Sequence, residues 1–192
     1  MNTRPAPGDV FEFRRSIVQA ASFRGYRPAA VAFSGVVGIV AAASQLWIQP
    51  RPADFVLLWT MAALVGFGYI FFCIARQYGA SPRRWERSLA FAALNDLSPA
   101  MFAGGLVTVA LFGTGHIELL PGLWMVLFGT GILASRRHLP LAATLVGGLY
   151  LLAGAAVLAF LPDAASLRAG VMGSVFGGGQ LLLAAALKRY AP

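Results

Sequence analysis

Charge is what this sequence has least of. Only 11% of its 192 residues are Asp, Glu, Lys or Arg, where a soluble domain carries about a quarter. A soluble fold would have to bury six all-round apolar helices with almost no amphipathic ones to cover them, which surface-to-volume scaling forbids. Ten-residue segments of alternating polarity are also missing, and that excludes a membrane barrel. A single cysteine, Cys73, excludes an internal disulfide and reads as a small buried hydrophobe. Of two histidines, His116 and His138 are expected in turns on opposite membrane faces, which excludes bis-histidine haem ligation. There is no Cys-x-x-Cys, no His-Glu-x-x-His and no glycine-rich phosphate loop ending in Gly-Lys-Ser/Thr. The expectation is therefore a chain without catalytic residues, cofactor or metal.

What is present is apolar length. Every one of the fifteen basic and seven acidic residues falls outside six uncharged runs, 28–50, 55–75, 97–117, 119–135, 138–162 and 169–187. A helix rising 1.5 Å per residue needs roughly 20 apolar residues, range about 17–25, to cross a hydrocarbon core of about 30 Å. All six runs qualify, and the predicted fold is all-α: a polytopic membrane protein with spans at about 28–48, 55–75, 97–115, 119–135, 139–161 and 168–187. Residues 1–27 and 188–192 are read as polar tails, and no cleavable signal peptide is expected.

The net charge of +8 is unevenly spread. Arg4, Arg14, Arg15, Arg24 and Arg27 precede the first run, Arg76, Arg83, Arg84 and Arg87 fill the second loop, Arg136 and Arg137 the fourth, and Lys188 and Arg189 the tail. The alternate loops hold only Arg51 and Arg168. The positive-inside rule then puts both termini and the long second loop in the cytoplasm, giving three helical hairpins in a cytoplasmic (inner) membrane. Asp9 to Phe23 reads as an amphipathic helix on the anionic leaflet, and Ser81-Pro82 as the start of a second interfacial helix running to Leu94. The expected partners are the bilayer, its anionic headgroups and a protein partner or second copy, not nucleic acid.

Small residues mark expected helix contacts. Ala30, Ser34, Gly38 and Ala42 recur at intervals of four, so Gly38→Leu should disturb packing while Ala41→Leu, off that stripe, should not. A weak repeat links Val65-Gly-Phe-Gly68, Phe128-Gly129-Thr-Gly131 and Phe176-Gly177-Gly-Gly179, and spans two and four both open with Leu-Trp, at 58–59 and 123–124. The polar candidates are few. Asn95 and Asp96 lie where the third span is expected to start, with Asp96 as its helix cap; Ser98-Pro99 offers a second start or a kink. His116 and Glu118, two apart, are close enough to hold one cation or titrate together. Gln180, inside the sixth run, is expected to make an interhelical hydrogen bond.

Arg14-Arg15-Ser16 with Phe23, Leu123-Trp124 leading to Gly129 and Gly131, and the closing Phe176-Gly177-Gly178-Gly179-Gln180 together resemble a family of uncharacterised six-helix bacterial inner-membrane proteins. The resemblance covers most of the chain and rests on glycines and aromatics. It implies the same six-helix fold, and a genetic neighbourhood of winged-helix regulators that hints at regulation. The function expected is a non-catalytic accessory, sensory or scaffolding subunit; a small oligomeric transporter and an intramembrane lipid-modifying enzyme are the alternatives.

Overall fold

The computed structural model describes residues 27–48, 51–78, 84–160 and 165–189. The helices are α1 (Pro28–Ile48), α2 (Pro52–Tyr78), α3 (Arg84–Thr114), α4 (Leu120–Ala134), α5 (Leu141–Phe160), α6 (Ala165–Met172) and α7 (Gly179–Lys188). A six-residue π segment, Gly173–Gly178, joins α6 to α7 in one continuous rod. Six stretches are long and apolar enough to cross a membrane: Pro28–Trp47, Pro52–Gln77, Asn95–Thr114, Ile117–Arg137, Leu141–Phe160 and Ala169–Lys188. The predicted all-helical character is therefore present, and the six apolar helices are compatible with a multi-pass membrane protein. The amphipathic segment Asp9 to Phe23 and the Ser81-Pro82 start lie outside the described residues.

Proline and glycine set the helix ends. Pro28 and Pro52 open their helices, and Pro121 sits in the first turn of α4, where a missing N–H is harmless. At the other end of α3, Gly115 takes φ +82°, and the following His116 N–H returns 3.0 Å to the Leu111 carbonyl. That 6→1 bond closes the helix and needs a residue free to enter the left-handed region.

Packing between rods is carried by backbone approach. The most extensive contact joins α4 and α5. A Cβ at Gly129 would lie 2.7 Å from the Gly147 carbonyl oxygen and 2.9 Å from the Leu151 nitrogen, and one at Gly154 would lie 2.7 Å from the Gly122 carbonyl oxygen. Two antiparallel helices with glycines seven apart, 122 and 129 against 147 and 154, thus touch backbone to backbone at two levels. The second such contact joins α1 to the sixth rod, where a Cβ at Gly35 would lie 2.9 Å from the Gly177 carbonyl oxygen, one at Gly38 would lie 3.3 Å from the Gly177 nitrogen, and Ala42 faces Gly173. α1 therefore lies between α2 and the sixth rod, and α5 between that rod and α4. α2 and α3 close the circuit only loosely.

Three expectations need correction. The second interfacial helix and the third span are not separate, because α3 runs unbroken from Arg84 to Thr114 through Pro99. Asp96 is for that reason no helix cap; it lies three turns inside a helix, half-buried, and is not without a partner. Ala41 is not off the packed face either: it is 4% exposed and belongs to the core. The small-residue interval of four describes one line on α1, whereas α1 is contacted from two sides. Ser34 meets Gly66 of α2 while Gly35 and Gly38 meet the sixth rod.

This packing predicts opposite outcomes for two glycines on neighbouring rods. Gly129→Ala should destabilise by about 1–3 kcal/mol, because the added methyl meets backbone that cannot rotate away. Gly148→Ala, with nothing within 4 Å of its Cβ position, should be neutral or stabilising by up to about 1 kcal/mol. Unfolding in mixed micelles measures both, and equal effects would contradict the backbone contact.

Candidate functional site: a cleft between α2 and α3

An indole N–H buried in an apolar span must find an acceptor. Trp59 of α2 donates 2.8 Å to Gln45 Oε1 on α1, and Trp124 of α4 donates 2.8 Å to Thr108 Oγ1 on α3. In each pair a glycine seven residues past the tryptophan lies against the same partner helix: Gly66 against Ser34, and Gly131 against Leu97 and Ala100. Ser34 precedes Gln45 by eleven residues, as Leu97 precedes Thr108. The α1–α2 and α3–α4 pairs are thus locked at two corresponding points, about 16 Å apart along α1 and α3 and about 10 Å apart along α2 and α4. This places Gly66, not Gly68, in correspondence with Gly131, a shift of two from the Gly-x-Gly alignment of the sequence. Gly179 plays the same part in the sixth rod, lying against the Tyr150 ring of α5.

Four rings from four rods meet at the centre. Phe128 of α4 makes edge contacts with Phe67 of α2 at 6.0 Å and Tyr150 of α5 at 4.9 Å, and lies 5.8 Å from Phe176 in the π segment. Tyr150 is 1% exposed, and its hydroxyl donates to the Phe176 carbonyl at 3.3 Å. The wide i→i+5 turn is thereby tied to α5 through a side chain. Neither Tyr150, Gln45 nor Thr108 was singled out from sequence, although each is a polar group inside an apolar run and so must have a partner.

Because α2 and α3 barely touch, a cleft of about 1110 Å³ opens between them and runs in to this aromatic centre. Exposed Leu64, Phe71 and Phe102 stand at its mouth, and Phe67, Phe128 and Phe176 line its inner wall. Among the described residues none that lines it carries a charge; its polar groups there are Ser34, Thr60, Asn95, Ser98, Thr108, Gln180 and the two tryptophans.

The predicted candidates are divided by this geometry. Asn95 and Gln180 line the cleft, with Ser34, Gly38 and Phe176. Gln180 is 8% exposed, and among the described residues its amide makes no hydrogen bond, contrary to the interhelical bond expected of it. Its Cβ is held 3.1 Å from the Cβ position of Gly35, and its polar atoms keep access to the cleft. His116 and Glu118 lie elsewhere, in the α3–α4 turn, where Nδ1 and Oε1 stand 3.2 Å apart and both side chains reach solvent. Gly129, Gly131, Gly177 and Gly179 are packing residues against α5, α3, α1 and α5 respectively. Cys73 is free and buried, and no cluster of three metal-ligating side chains occurs among the described residues.

Pro99 shapes the cleft's α3 wall. It has no N–H for the Asn95 carbonyl four residues back, an acceptor that lipid cannot satisfy. The Ser98 hydroxyl supplies the missing donor at 2.9 Å. The proline is accommodated within one helix for that reason.

No protein-family model matches the chain, and the comparisons with curated proteins and with solved structures find no match.

The Ser98 bond predicts a coupled pair of substitutions. Ser98→Ala should destabilise by about 0.5–1.5 kcal/mol, since the Asn95 carbonyl loses its donor. In a Pro99→Ala background, whose residue 99 has its own N–H, the same change should be close to neutral. A double-mutant cycle on unfolding in micelles reads the difference, and additive effects would reject the compensation.

Proposed function

We propose that this chain is a non-catalytic protein of a bacterial cytoplasmic membrane, working as an accessory, sensory or scaffolding subunit, and that the cleft between α2 and α3 is its binding surface. The observation that carries this reading is the cleft's lining: a large concave wall of aromatics, glycines and neutral hydroxyl and amide groups, without a charged side chain among the described residues. Such a surface binds; acid, base, nucleophilic and metal chemistry need titratable groups. The resemblance to six-helix inner-membrane proteins agrees with it. Both termini and the α2–α3 connection lie in the cytoplasm on this reading, supported by the concentration of arginine there.

A small oligomeric transporter is the second reading, and the π segment favours it. Gly173–Gly178 interrupts the α-helical pairing of a spanning rod, and Phe176 within it lines the cleft. Interrupted spanning helices are a device by which transporters build sites at mid-membrane.

Reporter fusions test the orientation: fusions after Arg84 and Arg137 should report cytoplasm, and fusions at Pro52 and Gly115 the outside. The reverse pattern would overturn it. Native mass spectrometry of the gently purified protein tests the role. A stoichiometric protein subunit is the expected result; assemblies of this chain alone that move a solute across a vesicle wall would put the transporter reading first.

A further inference from the structure

The amide of Gln180 poses a specific chemical question. A primary amide brings two donors and one acceptor into an apolar span, and leaving them unmet is costly. Other polar side chains at comparable depth have found partners: Gln45 with Trp59, Thr108 with Trp124, Tyr150 with the Phe176 carbonyl. Gln180 is nine-tenths buried, has no partner among the described residues, and lines the cleft. It sits at the level of Gly35, next to Ser34 on α1, in the half of the cleft toward the start of α1. Asn95 and Ser98 line the cleft near the corresponding end of the third span.

We propose that the cleft holds one neutral lipid, its apolar chain between α2 and α3 and its uncharged carbonyl or hydroxyl head hydrogen-bonded by the Gln180 amide. The volume of about 1110 Å³ is at or above the roughly 300–1,000 Å³ of sites for drug-sized ligands, and suits a long chain with a small head. Among the described residues no cation lines it, whereas a phosphate head binds where arginine, lysine or a helix N-terminus meets it. The mouth is flanked by exposed Leu64, Phe71 and Phe102, so the ligand enters sideways from the bilayer rather than through water. A head oxygen accepts from the Gln180 amide nitrogen, and a hydroxyl head also donates to its carbonyl oxygen. This inference rests on reading the cleft as a binding surface.

Trp59 and Trp124 border the cleft and report its occupancy. The experiment uses the full chain with Trp47→Phe and Trp85→Phe in phosphatidylcholine discs. It is titrated with decylubiquinone, with dioleoylglycerol brominated in its chains, and with dioleoylphosphatidylglycerol brominated likewise. Saturable quenching by one or both neutral lipids is expected, with none by the anionic one. Quinone alone would assign a ring-carbonyl head, the glycerolipid alone a hydroxyl head. Gln180→Leu should weaken binding about three- to tenfold, the loss of one hydrogen bond. Gly105→Leu, whose Cβ position on the lining has nothing within 4 Å, should abolish binding by filling the cleft at unchanged melting temperature. No saturable quenching by either neutral lipid, equal quenching by the anionic lipid, or unaltered affinity in both variants would overturn the site. Recovery of the bound lipid as a converted product would uphold the site and sink the non-catalytic reading. Failure to bind would remove the lipid site and leave the subunit reading to be judged by its own mass measurement.

Discussion

Lipid tails are as apolar as leucine, so within a bilayer no hydrophobic gain draws one helix to another, and association must come from close contact and satisfied polar groups. The fold of this chain depends on that constraint. Where α4 meets α5 and where α1 meets the sixth rod, glycines let carbonyl and amide groups of facing backbones approach within van der Waals distance. These two contacts hold four of the six rods. The remaining two, α2 and α3, are each fastened to one neighbour by a tryptophan hydrogen bond at one level and a glycine at the other, and α2 reaches α4 through ring contacts such as Phe67 with Phe128. With firm attachment on one side only, α2 and α3 leave a gap between them.

The six apolar stretches were legible because a length criterion fixed by helix rise and bilayer thickness is insensitive to local detail. Interruption by proline was not. The rule that proline ends a helix is a rule about an unmet carbonyl, and Ser98 meets it with a side chain that the sequence shows but does not orient. Ala41 lies in the core for a related reason: a single small-residue line presumes a single neighbour, and α1 has two. The residues flagged for packing, from Ser34 to Gly179, do lie at close approaches, yet the tightest pairing, glycines 122 and 129 against 147 and 154, went unnoticed. Its signal was present as a spacing of seven in two successive spans. Pairing of two such spacings becomes visible only once the helices are known to be neighbours.

The site was legible in its parts and not in its assembly. Asn95 and Gln180, eighty-five positions apart, were noticed as polar residues beside or within apolar runs, but nothing in one dimension places them on one cleft. Asp96 and the His116–Glu118 pair drew attention for the same reason, and the fold sends them elsewhere. The π segment left no trace beyond a high local glycine content, which glycine-rich membrane helices share. It is the tie from Tyr150 to the Phe176 carbonyl that shows the wide turn to be built into the aromatic centre.

Sequence and structure agree most closely where polar groups are satisfied, and diverge at Gln180. A chain whose local choices support its fold violates them mainly where something other than folding is served. Gln45, Thr108 and Tyr150 each serve the fold, because each closes a hydrogen bond between two rods. Replacing Gln180 by leucine would remove an unmet amide from an apolar rod without opening any described hydrogen bond, so the fold alone gives no reason for the amide. Its reason must lie in what enters the cleft. That follows from the same lipid constraint that assembles the helices: where the protein supplies no partner and water is scarce, the bilayer's own polar groups are the nearest supply.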